Sequence, residues 1–183
     1  MQSHLIALLD AHEPYDEIER HHKEYAIEFI QVTPNCTSRN TAKGHITASA
    51  WVLSPDLNAV LLMHHKKLNR WLQLGGHIES DVSVEKAAMR EACEESGIEK
   101  LEQLSSPLFD IDVHLIPTRK SEAEHLHFDF RFVFRAPTPD FILSKESTDL
   151  AWVELKDISS KFNDESILRM ARKTISFLAS LPR

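Results

Sequence analysis

Cysteine is scarce in this chain, with only Cys36 and Cys93 among 183 residues. Two thiols cannot build a disulfide framework, and no N-terminal stretch reads as a secretion signal, so a reducing cytoplasm is the expected compartment. Long apolar runs are missing as well. None approaches the ~18 residues that a membrane span requires, so no membrane partner is expected. Positive charge is in deficit: 21 Lys and Arg stand against 28 Asp and Glu, a formal charge of −7. A general nucleic-acid backbone binder needs a basic face and is excluded on that ground. An anionic substrate would need local help instead, from a metal ion or from a few placed Arg and Lys. Internal repeats and low-complexity tracts are also absent.

What is present is ordinary globular material. Hydrophobic residues make up 42% and charged residues 27% of a length that suits one domain with a terminal extension. Eleven histidines stand out as candidate ligands or pH-sensitive groups. Residues 1–42 read as a helical extension. A Leu-rich patch at 5–9 ends near Pro14, and an amphipathic helix over 15–32 ends at Pro34. The Leu-rich patch is expected to pack on its own domain, and the amphipathic run makes a homodimer plausible. From residue 43 the period changes. Strands are expected over 45–53 and 59–63, joined as a hairpin by Ser54-Pro55-Asp56, and over 71–74, 108–116, 125–135 and 150–155. A helix should follow Gly75-Gly76 and stop at Gly97, and another should close the chain over 166–181. Strands mixed with a central and a terminal helix imply an α/β layered fold.

The central helix carries the chemistry. Arg90, Glu91, Glu94 and Glu95 lie on it, and at ~3.6 residues per turn positions 91, 94 and 95 share one face. Three stacked carboxylates repel one another, and a hard divalent cation would turn that repulsion into oxygen ligation. The alternative is a solvated acidic face.

The spacing around these residues resembles the Nudix box, G-x5-E-x7-R-E-U-x-E-E-x-G-U, where U is a bulky apolar residue. Gly76, Arg90, Glu91, Glu94, Glu95, Gly97 and Ile98 match in register, and the order of flanking strands extends the likeness over about residues 43–180. Two positions depart from the pattern: Val82 stands where the first Glu belongs, and Ala92 where a bulky residue belongs. In the family that Glu steadies the loop by pairing with the Arg. Here Glu79, Asp81 or Glu85 could take its place.

The resemblance implies an α/β/α sandwich around a central mixed sheet. It implies an enzyme that uses Mg²⁺ or Mn²⁺ to hydrolyse the pyrophosphate linkage of a nucleoside diphosphate joined to another group, such as ADP-ribose, a nucleotide sugar or a nucleoside triphosphate. Gly76 through its carbonyl, Glu91, Glu94 and Glu95 would be the metal ligands, with Glu91 also a candidate base and Arg90 a structural partner. A further acid from a loop outside the box is expected, with Glu146 ranked first for its place before Trp152, and Glu122 and Glu124 as rivals.

Arg39, His65, Lys67 and His127 are candidate substrate contacts. Residues 125, 127 and 129 share one strand face and read as a polar surface beside the cleft rather than a second metal site. Trp51, Trp71 and Trp152 read as core, and Cys93 as buried and inert. Two other functions compete: a Nudix-fold binding module without turnover, for which Val82 is the hint, and an isoprenyl diphosphate isomerase, whose cleft cysteine neither Cys36 nor Cys93 supplies.

Overall fold

The computed structural model describes residues 1–104, 108–118, 123–145 and 147–181. Two helices come first, α1 (Gln2–Ala11) and α2 (Glu17–Val32). The Asp16 carboxylate caps α2 by accepting from the Glu19 amide at 2.8 Å, which satisfies one of the free donors of the first turn. The strands are β1 (Gly44–Leu53), β2 (Ala59–His65), β3 (Arg70–Leu72) and β4 (Leu74–His77), followed by helix α3 (Val84–Ser96). Then come β5 (Glu102–Gln103), β6 (Asp110–Ile116), β7 (His125–Arg135) and β8 (Ser147–Glu154), and finally helices α4 (Ile158–Lys161) and α5 (Glu165–Ser180).

The sheet is mixed. β1 runs parallel to β7 from Gly44↔Leu126 to Leu53↔Arg135. On its other side β1 is shared between two antiparallel neighbours. Its last residue pairs with β2 at Leu53↔Val60, while Thr47 to Ala50 pair with β4. β2 carries β3 and β8, and the far edge of β7 takes β6 and then β5. The segment expected as one strand over 71–74 is therefore two. Gln73 lies where the chain leaves β2 and joins β1, and pairing then continues through Gly75 and Gly76 to His77.

Side chains alternate across a strand, and the sheet fills two layers accordingly. Ile46, Ala48, Ala50 and Val52 of β1 join Phe128, Phe130, Phe132 and Phe134 of β7 in one core cluster, with Leu5, Leu9, Phe29 and Ile30 of the N-terminal helices and Val84, Ala87, Ala88 and Ala92 of α3. The Phe29 ring stacks on Phe128 with centroids 4.1 Å apart. The Leu-rich start thus packs on its own domain, as its sequence suggested. On the opposite face Trp51, Leu53, Val60, Leu62 and Val133 meet Ile158, Ile167, Met170 and Ala171 from α4 and α5. The result is an α/β/α sandwich with an N-terminal helical pair.

The polar side of β7 is less open than its alternation suggests. Asp129 and Arg131 are both 2% exposed, enclosed in a network of polar side chains from β1, β6 and α5. Arg131 donates to Asp129 (2.8 Å), Asp112 (3.1 Å) and Ser166 (2.6 Å), and Arg169 to Asp110 (2.9 Å) and Asp112 (3.0 Å). Lys173 pairs with Asp110 and with Glu19 of α2. Burial pushes the Asp110 carboxyl up, but Arg169, Lys173 and Arg131 outweigh it and hold the group at about 2. This network ties α2, β6, β7 and α5 together.

Candidate active site

Helix α3 is fixed at both ends. Ser83 caps its start by accepting from the Lys86 amide. Gly97 ends it in the left-handed region at φ 67°, which favours glycine, and donates to the Cys93 carbonyl. The buried face is built from small residues, Ala87, Ala88 and Ala92, all 0% exposed. Ala92, small where the Nudix pattern is bulky, therefore sits on the face packed against the sheet. Cys93 is partly buried against the same core, which pushes its thiol up, and Cys36 is buried.

That packing sets the three acids differently. Glu91 lies against β4, so close that a Cβ added to Gly76 would stand 2.6 Å from the Glu91 carboxylate carbon. A side chain at position 76 would have to push the end of Glu91 aside. Burial pushes the Glu91 carboxyl above the usual range, while the Arg90 charge and hydrogen bond pull it down. Glu95 is 7% exposed, and its Oε2 accepts from the Gly75 amide at 2.8 Å. Glu94 faces solvent and accepts from Arg90 at 3.1 Å.

Arg90 is the hub. Its Nη1 donates to Glu91 (3.0 Å) as well as to Glu94, and its Nη2 to the His77 carbonyl (3.0 Å). Nε and Nη2 both grip Asp81 at 3.0–3.3 Å. Of the three acids that could replace the missing Glu, Asp81 is the one that does so, and Arg90 in turn lowers its pKa. Glu85 is engaged elsewhere, with His4 of α1 at 2.8 and 3.0 Å. Val82 projects into solvent, 81% exposed.

The donor set suits a hard divalent cation. It offers carboxylate oxygens and a glycine backbone that can be approached closely, and it includes a half-buried carboxylate whose charged form burial disfavours. Three acids, Asp81, Glu91 and Glu94, share the one guanidinium of Arg90, which leaves an acid surplus.

The remaining candidates are scattered. Glu146 and Glu122 lie outside the described residues. Glu124 is exposed, with its amide donating to the Thr118 hydroxyl. Arg39 is exposed in the loop before β1. His65 ends β2, and its Nδ1 accepts from the amides of Lys67 and Leu68, which shapes the β2–β3 turn and leaves Lys67 exposed at its tip. Trp51 is fully buried, while Trp71 and Trp152 are partly buried against the two cores.

His127 stands among four other histidines, with ring centroids 4.7 Å from His45, 5.1 Å from His125 and 5.5 Å from both His77 and His114. Burial, with these neighbours, pushes His127 down to about 2, so it is neutral at ordinary pH. Spacing along one strand had singled out 125, 127 and 129. Across strands the neighbours are His45 and His77, while Asp129 is taken by Ser49, Thr47, Gln73 and Arg131. The signal for His45 lay in strand pairing: β1 and β7 in parallel register put it opposite His127.

A family model described as the NUDIX domain matches residues 43–173. Among solved structures, a NUDIX-family hydrolase from Clostridium perfringens is 30% identical, covering 73% of this chain and 97% of its own, with a TM-score of 0.56. The Ap4A hydrolase of C. elegans, a binary complex, is 21% identical over 74% and 98% of the two chains (TM-score 0.53). The NUDIX domain of Shewanella oneidensis NrtR, complexed with ADP ribose, is 17% identical over 82% and 97% (TM-score 0.53). The last two show likeness of fold. No curated protein matches by sequence.

Proposed function

The chain belongs to the Nudix hydrolase family, and from that premise we propose that it cleaves the pyrophosphate linkage of a small nucleoside diphosphate derivative with the help of Mg²⁺ or Mn²⁺. Gly76, Glu91, Glu94 and Glu95 would hold the ion. The observation that carries this reading is the crowding of Glu91 onto Gly76 beside a single arginine that already serves three acids. When bound, the ion supplies charge neutralisation at the diphosphate oxygens and acidifies a water.

The chain's own residues do the rest. Glu91, its carboxyl raised by burial, is suited to accept a proton, and Glu146 is the candidate from outside the helix. Glu95 fixes β4 to α3 through the Gly75 amide, so the glycine backbone and the carboxylates keep their spacing. Arg90 acts as a positioning residue: it orients Glu91 and Glu94 while Asp81 and the His77 carbonyl hold it in place. Lys67 and Arg39, both exposed, are the candidates for substrate phosphate. His65 is committed to its turn and His127 is held neutral, so neither offers an anion a fixed charge.

Turnover is favoured over a binding module because the one hint for the module, Val82, is answered by Asp81. The test is Mg²⁺-dependent product release from a panel that includes Ap4A and ADP-ribose, the compounds named for the C. elegans and Shewanella proteins. Glu94→Gln and Glu95→Gln should each lower the rate about 10²-fold or more. Unchanged rates would remove the site assignment. A wild-type protein that binds a panel nucleotide but turns none over would be a module.

A further inference from the structure

We propose that His45, His77 and His127 form a second metal site, for a borderline transition-metal cation of the Zn²⁺ class, on the side of β4 away from Glu91. Each residue offers one ring nitrogen, and the three nitrogens all lie within 4.8 Å of one another; among the described residues this is the one such group of His, Cys, Asp or Glu. Two nitrogens on one tetrahedral Zn²⁺ at 2.0–2.1 Å are about 3.4 Å apart. Small ring rotations therefore separate the observed spacing from a ligand set. His125 is the candidate fourth ligand, since its Nε2 already lies 3.3 Å from His127 Nε2.

The backbone holds these rings in place. They come from three strands whose register is fixed: His45 opposite His127 across the parallel β1–β7 pair, and His77 opposite Thr47 across β1–β4. Sites on strands are held more firmly than sites on loops. Outer contacts aim the flanking rings as well. His125 Nδ1 bonds the Ala123 carbonyl at 2.8 Å, a contact in which the ring must donate, so its Nε2 carries the lone pair. His114 Nδ1 meets the Asp112 carboxylate at 3.0 Å, the carboxylate–histidine pairing that metal-ligating rings use.

Chemistry and place both separate this site from the acids of α3. An all-imidazole set is poor for Mg²⁺, which wants oxygen, and good for Zn²⁺, Co²⁺ or Ni²⁺. Adjacent strand residues point to opposite faces. Gly76 therefore turns toward Glu91 and α3, while His77 turns to the face shared with Thr47, His45 and His127. An ion there would clamp β4 to β1 and β7 one residue from Gly76.

The test uses the full chain, free of any affinity tag and stripped of metal, titrated with Co²⁺ in excess Mg²⁺. One equivalent should bind with the visible absorption of a four-coordinate Co²⁺, and Zn²⁺ should displace it. His127→Gln and His45→Gln, checked for folding by circular dichroism, should weaken binding about tenfold or more. The double variant Glu91→Gln/Glu95→Gln should bind Co²⁺ as wild type does. Because a histidine variant can misfold, ¹⁵N spectra of the wild-type histidine rings with and without Zn²⁺ provide a second readout, in which the resonances of His45, His77 and His127 should shift together. The proposal is overturned if wild type binds no Co²⁺ or Zn²⁺, if folded histidine variants bind unchanged, if the Glu variant loses the Co²⁺ spectrum, or if the three rings do not respond. None of these outcomes depends on turnover.

Discussion

Two arginine–carboxylate assemblies sit in this molecule, and they differ in burial and in how nearly their charges match. Around Arg131, Arg169 and Lys173 the acids are Glu19, Asp110, Asp112 and Asp129, so cations nearly match anions, and every one of these side chains is buried. Around Arg90 three acids share one cation, and the group is partly open to solvent. Buried charges survive only when paired, so the first assembly is complete in itself and its role is to join elements. The second carries an acid surplus that protein cations do not neutralise, which suits a place meant to receive a cation from outside.

The largest effect that could break this comparison is on stability. Asp110 is fully buried between two arginines and a lysine. Asp110→Ala should cost about 3–5 kcal/mol, since removing one partner strands the others; urea unfolding measures it. By contrast, Glu94→Gln, which removes one acid from the surplus, should leave unfolding within about 0.5 kcal/mol of wild type while abolishing most turnover. If the two variants exchanged signatures, the division into joining and functional assemblies would fail.

The two assemblies also differ in how legible they were. Gly76, Arg90, Glu91, Glu94 and Glu95 could be read from the chain because one helix and the strand before it carry them, and local spacing fixes local geometry. The strand at 125–135 was legible for the same reason, its apolar residues alternating without a break. The buried network was not legible. Glu19 and Lys173 are 154 residues apart, and nothing short-range says that α2 and α5 meet at the edge of β6. The replacement for the missing Glu was half legible: three acids lay within reach of Arg90, and only the loop path, with Glu85 drawn off to His4, singles out Asp81. The histidine cluster fell between these cases. Strand alternation identified the face, but His45 and His77 joined it through sheet pairing that the chain does not spell out.

A smaller effect sharpens the comparison through pH. Asp110 is held at about 2, below the ordinary 3.8, so its stabilisation is complete above the unfolded value and is lost as pH falls through the folded one. His127 behaves differently because burial and the surrounding histidines, rather than a carboxylate, set its state. Its folded value of about 2 lies below the ordinary 6.5, so below pH 6.5 the unfolded chain takes up a proton that the folded chain refuses. Stability should therefore begin to erode on acidification from about pH 6.5, well before the carboxylate network fails. In metal-free protein, melting temperatures between pH 7.5 and 4.5 should fall less steeply in His127→Gln than in wild type. Equal slopes would mean that His127 does not bear this cost.

The smallest expected effect is at Val82, where the family's first glutamate is missing. If the loop depended on a glutamate at 82, restoring one should raise the rate strongly. The geometry argues otherwise. Arg90 already spends Nε and Nη2 on Asp81 and the His77 carbonyl, and Nη1 on Glu91 and Glu94, so its donors are committed. The Val82 side chain points away into solvent, and a carboxylate there would gain only a surface pairing worth about 0–1 kcal/mol. Val82→Glu should therefore change kcat/KM by no more than about fivefold, because each tenfold needs about 1.4 kcal/mol of transition-state stabilisation. Asp81→Asn, which weakens the real partner, should lower kcat more than it raises KM, since it disturbs the aim of Glu91 rather than a substrate contact. Steady-state kinetics on the pair decides. A tenfold gain from Val82→Glu, with Asp81→Asn silent, would show that Asp81 does not substitute for the glutamate and that the Arg90 cluster is short of an acid rather than in surplus.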